Sequence, residues 1–328
     1  MKELINEIKI FKKLPTKVKE LWIRILIFCY SLLPFCLYPL ALKVWYYKQT
    51  KRNLNLKKIQ TYNDKLQWLK LYNSIPIKTR LADKYAVREW VKEKIGEEYL
   101  VALLGVYDKY DDIDFNVLPN QFVIKCNHGS GYNIIVRDKS KLNVKEVKYK
   151  LNRWMNENFA FKGGFELHYL PIKPKIIIEE FINPKESHHE IQIWCFNQTI
   201  KFVSVESIKD AEELVRGTFY PNGQPTEFEI SPNHYKKLIH IGDKRSFYKA
   251  IELAEKLIID VPYVRIDFIE WKGSVKFREM TFTSGSGLSQ IKPSTYSQVL
   301  GNWIVLPKQA YNFKTGKYYN FPFKQKNS

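Results

Sequence analysis

Two short apolar segments near the carboxyl end, each with an acidic residue, constrain the fold of this chain more than any other feature. Residues 264–268 contain Asp267, and twelve residues further on Glu279 lies within residues 277–282. Alternation of apolar and polar side chains predicts two strands joined by a hairpin turn at residues 271–274. On paired strands, the two carboxylates can point to the same face. The alternative is a half-exposed hairpin whose charges face solvent.

This combination of residues suits a site for a metal ion and phosphate. Asp267, Glu279 and the Thr281 hydroxyl on one sheet face offer the hard oxygen ligands that Mg²⁺ prefers, and such an ion also binds nucleotide phosphates. The segment Ser284-Gly-Ser-Gly287 then adds a loop whose backbone N–H groups can bind an anion. We therefore expect a Mg²⁺ site on this hairpin.

The rest of the chain predicts an α+β fold with antiparallel strand pairs. Helical periodicity over residues 61–96, broken at Ile75-Pro76, predicts two helices, and further helices are expected at about 143–158 and 246–259. Runs of β-forming residues predict strands at residues 99–107, 122–126, 134–136, 176–182, 191–196, 199–205, 263–269 and 275–282. No GxGxxG follows the first strand, which argues against a Rossmann dinucleotide site.

A strand lysine followed by a glycine loop forms a second candidate site. Lys125 lies in the apolar strand at residues 122–126 and leads directly into Asn127-His-Gly-Ser-Gly131. Glycines let backbone N–H groups approach phosphate oxygens while the ammonium group supplies positive charge, so this pattern suits a polyphosphate. The alternative is an ordinary turn beside a solvated lysine.

A third candidate lies where the apolar strand at residues 176–182 ends. Glu179 and Glu180 are followed there by Phe181 and Ile182. Backbone groups and apolar side chains of the last two residues suit an adenine ring, and a nearby acid, Glu190 or Glu186, suits ribose hydroxyls. The same residues fit an edge strand with exposed acids equally well.

Positive charge is concentrated at the amino end. The formal net charge is +19, and residues 1–60 contribute +10 of it, with 13 Lys and Arg residues against three acidic ones. Such an excess suits an anionic partner, but none of the known nucleic-acid-binding motifs occurs, so nucleic acid is not expected. Four widely spaced cysteines without a CxxC pair, and no cleavable signal pattern, predict reduced thiols in a cytoplasmic protein.

An uncharged run of 18 residues at positions 25–42 lies inside this basic region. Its length is at the lower limit for spanning a bilayer, and Pro34 and Pro39 disfavour a straight transmembrane helix. Basic residues flank it on both sides, so we expect peripheral or monotopic association with the anionic inner face of the cytoplasmic membrane. Aromatic residues expected near the headgroups are Trp22, Tyr30, Tyr38, Trp45, Tyr46 and Tyr47. A buried helical hairpin and a true span are the alternatives.

Taken in order, the strand lysine, glycine loop, acidic strand end, Arg-x-Asp and Glu-x-Thr resemble the ATP-grasp superfamily. More narrowly, residues 50–305 resemble the TupA-like ATP-grasp proteins of bacterial cell-surface polysaccharide loci, the type associated with teichuronopeptide biosynthesis. The motifs that carry this resemblance are Asn63-Asp-Lys-Leu-Gln-Trp-Leu-Lys70, Asp83-Lys-Tyr-Ala-Val-Arg-Glu89, Lys125-Cys-Asn-His-Gly-Ser-Gly131 and Arg265-Ile-Asp267.

The resemblance implies an ATP-grasp fold, in which two α+β subdomains grip ATP, preceded by a helical membrane-associating segment. The implied division is a basic, apolar segment at residues 1–60, a helical α/β subdomain at 61–120, a small ATP-grasp subdomain with phosphate loop and hinge at 121–182, a large subdomain with the Mg²⁺ site at 183–310, and a tail at 311–328.

The resemblance also implies a role for each matched residue. Lys84 and Lys125 would contact phosphates, and Arg265 would act with Lys125 in catalysis, facing the transferred phosphoryl group or the tetrahedral intermediate. The Mg²⁺ ligands would be Asp267, Glu279 and Thr281. The loop over the β- and γ-phosphates would comprise His128, Gly129, Ser130 and Gly131, and the adenine hinge and ribose contact would comprise Glu179, Glu180, Phe181, Ile182 and Glu190.

Two positions depart from the family pattern. Thr281 stands where many ATP-grasp enzymes have asparagine, so the identity of the third metal ligand is open. Gln192 stands where a lysine is expected, and Lys201 or Arg216 would then supply the missing charge. A DxD at residues 112–114 is the mark of some glycosyltransferases, but we interpret it as part of a solvated loop.

The activity that the resemblance implies is ATP- and Mg²⁺-dependent ligation of a carboxylate to an amine through an acylphosphate. The acceptor would be an acidic sugar of a cell-surface polysaccharide or its lipid-linked precursor, and the donor an amino acid or amine. A kinase or glycosyltransferase that modifies a capsule or O-antigen polysaccharide is the alternative.

Overall fold

The computed structural model describes residues 15–183, 189–209, 213–230, 236–238 and 240–320. Its helices are α1 Thr16–Leu32, α2 Tyr38–Thr50, α3 Tyr62–Tyr72, α4 Pro76–Ala82, α5 Val87–Lys94, α6 Val144–Met155, α7 Phe159–Lys162, α8 Lys244–Leu257 and α9 Tyr296–Asn302. Its strands are β1 Leu103–Tyr107, β2 Phe122–Cys126, β3 Asn133–Val136, β4 Ile176–Glu180, β5 Glu190–Phe196, β6 Thr199–Lys209, β7 Glu213–Phe219, β8 Glu229–Ile230, β9 Lys236–Lys237, β10 Tyr263–Trp271, β11 Ser274–Thr281, β12 Ile291–Lys292, β13 Gln309–Asn312 and β14 Lys317–Asn320.

Two sheets organise these elements, and the predicted α+β class is confirmed. The small sheet has the order β1-β4-β2-β3, and all of its strand pairs are antiparallel. One of its faces packs on α6 in a core that includes Ile124, Ile178 and Leu151. The large sheet has the order β11-β10-β5-β6-β7-β9 and is antiparallel except between β7 and β9.

The large sheet is buried on both faces, as alternation along β5 illustrates. Ile191 and Ile193 belong to the core beneath α8, whose buried stripe includes Phe247 and Leu253. Trp194 lies on the opposite face, in a second core beneath the amino-terminal helices. The period of two in a strand thus sends successive side chains of β5 to different cores.

The helical region between residues 61 and 96 contains three helices, whereas the sequence predicts two. The extra break follows Asp83, whose Oδ1 accepts hydrogen bonds from the backbone N–H groups of Tyr85 (2.8 Å) and Ala86 (3.2 Å). An aspartate that caps backbone donors in this way competes with helix continuation. The break separates α4 from α5, and Lys84 lies in the short segment between the two helices.

The amino-terminal helices pack against the body of the protein along one side. α1 ends at Leu32, ahead of Pro34, and Pro39 lies in the first turn of α2, where its missing N–H costs no helical bond. The predicted interruption of the apolar run is therefore confirmed. Within the described residues, no helix has both the length and the apolar character needed to cross a bilayer. Residues 1–14 of the predicted N-terminal segment lie outside the described part of the chain.

Three of the aromatic residues expected near lipid headgroups instead contact the protein. Tyr30, Tyr38 and Tyr46 are buried, because their rings belong to the core that also covers the large sheet. Trp45 lies against the backbone of Gly164, where a Cβ atom would approach its ring to 2.4 Å. This side of α2 therefore faces the protein and not lipid.

A hairpin of β13 and β14 follows the large-sheet region and was not among the predicted strands. It contributes Ala310 to the core beneath the amino-terminal helices. Residues 321–328 of the predicted tail lie outside the described residues.

A buried lysine on α4 makes folding stability depend on pH. The Lys78 side chain is 2% exposed, and its Nζ donates to Asn73 Oδ1 at 2.6 Å. Burial lowers the pKa of Lys78 to about 7, whereas the unfolded chain retains a value near 10.5. Between these two values the unfolded state binds more protons than the folded state, so stability increases as pH rises.

Replacing this lysine should remove that dependence. We expect the stability of the native chain relative to Lys78→Met to increase by about 1 kcal/mol per pH unit from about pH 7 towards pH 10. Below pH 7 both states are protonated, and the difference should stay constant. Urea unfolding of both proteins at several pH values measures this, and parallel curves throughout would contradict it.

Candidate functional site

A cleft of about 260 Å³ separates the exposed face of the small sheet from the charged end of the large sheet. Apolar side chains from both sheets and from α5 line it, among them Val123, Phe181 and Ile269. Its charged lining residues are Lys84, Arg88, Lys125, Glu179, Glu180, Glu190, Glu206 and Arg278. An apolar cavity with a few converging charges is typical of a small-ligand site.

Lys125 is held on the small-sheet side of the cleft by an ion pair. Its Nζ lies 2.5 Å from Glu179 Oε2, and Arg88 Nη1 lies 3.1 Å from Glu179 Oε1. The neighbouring strands β2 and β4 place Lys125 and Glu179 on the same sheet face. Glu179, predicted to be part of an adenine hinge, therefore has both carboxylate oxygens engaged by cations.

Lys84 joins the two sheets across one end of the site. Its Nζ donates to the Gly129 carbonyl at 2.8 Å, in the loop after β2, and lies 3.3 Å from Glu279 Oε2 on β11. The break between α4 and α5 lets this side chain reach both partners. Lys84 and the glycine loop, which are 45 residues apart in sequence, are thus brought together as the resemblance implies.

The two predicted metal-binding carboxylates face each other on paired strands. Asp267 on β10 is the register partner of Glu279 on β11, which confirms that the hairpin places them side by side. Arg265 holds Asp267 in a two-pronged contact, with Nε 2.7 Å from Oδ1 and Nη2 2.5 Å from Oδ2. Thr281 donates its hydroxyl to Glu279 Oε1 at 3.2 Å. These residues and Lys84 form one charged cluster.

The two carboxyl groups of this cluster, Asp267 and Glu279, have pKa values that are shifted in opposite directions. Burial outweighs the adjacent Arg265 and raises the pKa of Asp267 to about 7. Burial also disfavours the ionised form of Glu279, but Lys84, Arg265 and Arg278 together lower the pKa of Glu279 to about 2. Glu279 thus stays ionised in neutral solution, whereas Asp267 needs further positive charge nearby to be fully ionised.

The donor set fits a hard divalent cation. Asp267, Glu279 and the Thr281 hydroxyl present oxygen atoms on one sheet face, which is the ligand type that Mg²⁺ takes in proteins. A divalent ion beside both carboxylates would favour ionisation of Asp267. Among the described residues, no group of three or more His, Cys, Asp or Glu side chains is arranged as a metal site, so any ion here relies on two carboxylates.

The second half of the glycine loop after β2 is exposed. It comprises Ser130 and Gly131, and Gly131 has a φ of 74°, which favours glycine. The imidazole of His128 is buried instead, with Nε2 3.0 Å from the Trp154 carbonyl. Only the backbone of His128 therefore remains available for the phosphate contact that the sequence suggested.

A β-bulge places a positive charge in the cleft that the sequence pattern did not reveal. The β10–β11 register shifts after Asp267, because Phe268 pairs with Phe277 and leaves Arg278 as the extra residue. Arg278 forms an ion pair with Glu190, the predicted ribose contact. Simple alternation would place Arg278 and Glu279 on opposite faces, but the bulge allows both side chains to reach the site.

Of the two cations that might replace the lysine expected at Gln192, Arg216 contacts it. Arg216 Nη2 donates to Gln192 Oε1 at 2.7 Å and also lies 2.5 Å from Glu206 Oε1. Lys201 instead lies over the Trp303 ring, at 6.0 Å from its centroid. Because β6 separates β5 from β7, this contact between Arg216 and Gln192 spans two strand spacings and is visible only in the folded sheet.

The DxD at residues 112–114 lies in an exposed loop outside this cleft. Asp112 pairs with Lys109, and Asp114 accepts a hydrogen bond from the Asn116 N–H at 2.9 Å. Both acids are exposed, which agrees with the interpretation as a solvated loop.

Asn127 positions the site without having been predicted to do so. Its Nδ2 donates to Asp83 Oδ1 (2.9 Å) and to the Lys173 carbonyl (3.1 Å), and its Oδ1 accepts from the Lys175 N–H at 2.6 Å. The backbone N–H of Lys84 also donates to the Asn127 carbonyl at 3.2 Å. The position of Asn127 just before the glycine loop was the one signal in the sequence for such a role. The hydrogen-bond partners of Asn127 are distant in sequence and could not be predicted from it.

The model of the TupA-like ATPgrasp family matches residues 64–305, which confirms the resemblance drawn from the motifs. A comparison with curated protein sequences found no match. Among solved structures, D-alanine–D-alanine ligase from Bacillus anthracis complexed with ATP is 15% identical over 62% of this chain and 54% of that chain, with a TM-score of 0.36.

Two further solved structures show a similar level of likeness. D-alanine–D-alanine ligase from Helicobacter pylori is 17% identical over 72% of this chain and 59% of that chain, with a TM-score of 0.36. D-cycloserine synthetase DcsG is 10% identical over 69% of this chain and 70% of that chain, with a TM-score of 0.38. The chain spans somewhat more than half the length of the two D-alanine–D-alanine ligases, and at these scores the likeness carries no argument about activity.

Removing the amide of Asn127 should loosen the junction around Lys84. We expect Asn127→Ala to lower the free energy of unfolding by about 2 kcal/mol, because several buried donors and acceptors lose their partner. Asn116→Ala, at an exposed asparagine, should change it by less than about 0.5 kcal/mol. Urea unfolding measures both, and equal stabilities of the two variants would contradict the positioning role.

Proposed function

Since the chain belongs to the TupA-like ATP-grasp family, we propose that it is an ATP- and Mg²⁺-dependent ligase that joins a carboxylate to an amine and forms ADP. The observation that carries this proposal is the charged cluster that Lys84, a residue of the cleft lining, joins to the cleft. Lys84 and Arg265 bring two cations to the paired carboxylates Asp267 and Glu279. Phosphoryl transfer depends mainly on such positioning and charge stabilisation.

The lining of the cleft supports nucleotide binding. Phe181 and Ile182, at the end of β4, would contact the adenine ring, and Glu180 lies at the same rim. Glu190, which lines the cleft and is paired with Arg278, would accept hydrogen bonds from ribose hydroxyls. Apolar walls with few polar groups suit a purine, which has large faces and a small number of edge donors and acceptors.

The cationic groups would act on the triphosphate. Lys125 lies on the small-sheet side of the cleft, and Lys84 lies at the junction of the two sheets. The backbone N–H groups of Ser130 and Gly131 belong to the loop that Lys84 contacts. Mg²⁺ held by Asp267 and Glu279, with Thr281 beside them, would neutralise charge on the phosphate oxygens. Binding of ATP would then require Lys125 to give up part of its contact with Glu179.

In the proposed reaction, a substrate carboxylate oxygen attacks the γ-phosphorus of ATP and ADP leaves. The resulting acylphosphate is attacked by an amine, which loses a proton as inorganic phosphate departs and an amide forms. Arg265 is fixed by Asp267 and would stabilise the negative charge of the phosphoryl group and of the tetrahedral intermediate. This scheme needs no nucleophile from the protein.

For the substrates, we propose an acidic sugar of a cell-surface polysaccharide or of its lipid-linked precursor as acceptor, and an amino acid or amine as donor. Two features support an acidic, surface-bound acceptor: the family to which the chain belongs and the excess of positive charge, with 53 Lys and Arg residues against 34 acidic ones. A charge excess of this sign favours encounter with anionic substrates.

Site variants should separate nucleotide chemistry from folding. We expect Lys84→Met and Glu279→Gln each to lower ATP turnover by about 100-fold, because each removes charge that acts on the transferred phosphoryl group. Removing Mg²⁺ with a chelator should abolish turnover. Lys141→Met, at an exposed lysine, is the matched control and should keep native activity. ADP release measures all of these, and native turnover in Glu279→Gln would contradict the site.

The reaction class can be tested by trapping its intermediate. With ATP and an acidic sugar or polysaccharide acceptor, hydroxylamine should yield a hydroxamate of the acceptor together with ADP, because an acylphosphate reacts readily with this nucleophile. A stable phosphosugar would instead indicate a kinase. A requirement for a nucleotide sugar, without ATP consumption, would indicate a glycosyltransferase.

The substrates can be identified from the polysaccharide itself. Mass spectrometry of surface polysaccharide from cells with and without this protein should show a mass difference that matches an amide-linked amino acid or amine. Cells that carry Asp267→Asn should give the spectrum of cells without the protein. Identical spectra from cells with the protein, cells without it and cells with Asp267→Asn would overturn the proposed acceptor. ATP turnover is measured independently by ADP release, so this result would not decide it.

A further inference from the structure

The outer side of the amino-terminal helices is covered with exposed apolar side chains. The exposed fractions of Phe28, Leu32 and Leu40 are 63%, 68% and 62%, which are high values for large apolar residues. We call this surface the apolar face; its members are Leu21, Trp22, Ile23, Ile25, Leu26, Phe28, Leu32, Leu37, Leu40 and Val44. A group of this many exposed large apolar side chains on two consecutive helices is typical of an interaction site.

The apolar face is not a by-product of a loosely attached segment. The inner side of α2 is packed on the protein, since Tyr38 and Leu42 are almost completely buried. Tyr38 also contacts the Phe161 ring at 5.6 Å, and Trp45 lies over the Lys70 ammonium group at 4.4 Å. α1 is attached near its carboxyl end, where the Tyr30 ring lies 5.1 Å from the Phe165 ring, whereas residues 21–26 are exposed on every side of the helix. α2 and the last turn of α1 are therefore held by the body, and the apolar face extends from them along the exposed part of α1.

The charge of this region indicates what kind of partner binds to the apolar face. Residues 21–60 contain seven Lys and Arg residues and no acidic residue. Those that border the apolar face are exposed, including Arg24, Lys43 and Lys48. α1 and α2 together contain five Lys and Arg residues and one acidic residue, Glu20. An apolar surface on helices with such an excess of cations is complementary to the acyl chains and the anionic headgroups of a phospholipid bilayer.

A second copy of the chain fits this surface less well. It would bring two sets of seven cations together, and like charges across an interface oppose association. Among the described residues, no helix is long and apolar enough to cross a bilayer.

We infer that the apolar face binds the surface of an anionic phospholipid bilayer, with Phe28, Leu32 and Leu40 inserted at the boundary between headgroups and acyl chains. Arg24, Lys43 and Lys48 contact the lipid phosphates. The catalytic cleft then operates at a fixed place relative to the membrane surface, which suits an acceptor that is itself anchored in lipid. This inference does not rest on the proposed ligase activity.

Vesicle flotation of the purified full-length chain tests the inference. We expect the protein to float with vesicles of phosphatidylcholine and phosphatidylglycerol, and to bind weakly to pure phosphatidylcholine. The double variant Phe28→Ser/Leu32→Ser should bind roughly tenfold more weakly, because two inserted side chains lose their apolar contact. The matched control is Val117→Ser/Tyr318→Ser, which changes two exposed apolar residues elsewhere and should bind as the native chain does.

A second measurement keeps the result independent of folding. Brominated phospholipids should quench part of the tryptophan fluorescence, and this quenching should be lost in Trp22→Phe, because Trp22 is 56% exposed on the apolar face. Failure of the native chain to bind anionic vesicles, or native binding by the Phe28→Ser/Leu32→Ser variant, would overturn the inference. A dimer in light scattering that this variant abolishes would assign the face to a second copy instead.

Discussion

Lys84 is the residue on which the geometry of the cleft depends. Its ammonium group contacts the Gly129 carbonyl in the loop of the small sheet and the Glu279 carboxylate on the large sheet. Because the contact involves charge in a partly dehydrated place, losing one partner leaves the other poorly compensated. The Asp83 cap and the Asn127 hydrogen bonds serve this contact, since they hold the chain in the short break between two helices where Lys84 lies.

One face of the large sheet supplies both a core and a site. Near one end of β10, Tyr263 is buried with Trp194 among aromatic rings, whereas further along the same face lie the carboxylate of Asp267 and the neutral amide of Gln192. Arg265 lies between the two environments, with its guanidinium 5.6 Å from the Trp194 ring centroid and its donors on Asp267. A rigid aromatic support on one side and an ion pair on the other hold this arginine in one orientation, as its proposed catalytic role would require.

The amino-terminal helices are connected to the same region. Lys70 lies over the Trp45 ring of α2 and donates to the Ser286 carbonyl at 2.6 Å, in the loop that directly follows the β10–β11 hairpin. Glu166 accepts hydrogen bonds from Thr283 (2.6 Å) and Ser286 (2.5 Å) on the other side of that loop. The surface proposed to bind lipid and the loop beside Arg265 are thus separated by a short chain of direct contacts.

The sequence by itself determined the elements whose signals are local. Alternation and turn composition predicted the hairpin that pairs Asp267 with Glu279, the lysine strand before the glycine loop, and the interruption of the apolar run by prolines. Only the tertiary structure decided which groups meet across the fold: Lys84 with Glu279, Gln192 with Arg216, and Asn127 with Asp83. It also decided that the bulge turns Arg278 into the cleft and that Tyr38 faces the protein. The reason is physical, because periodicity reflects the neighbours of a residue along one helix or strand, whereas ion pairs and burial depend on segments that folding brings together from distant parts of the chain.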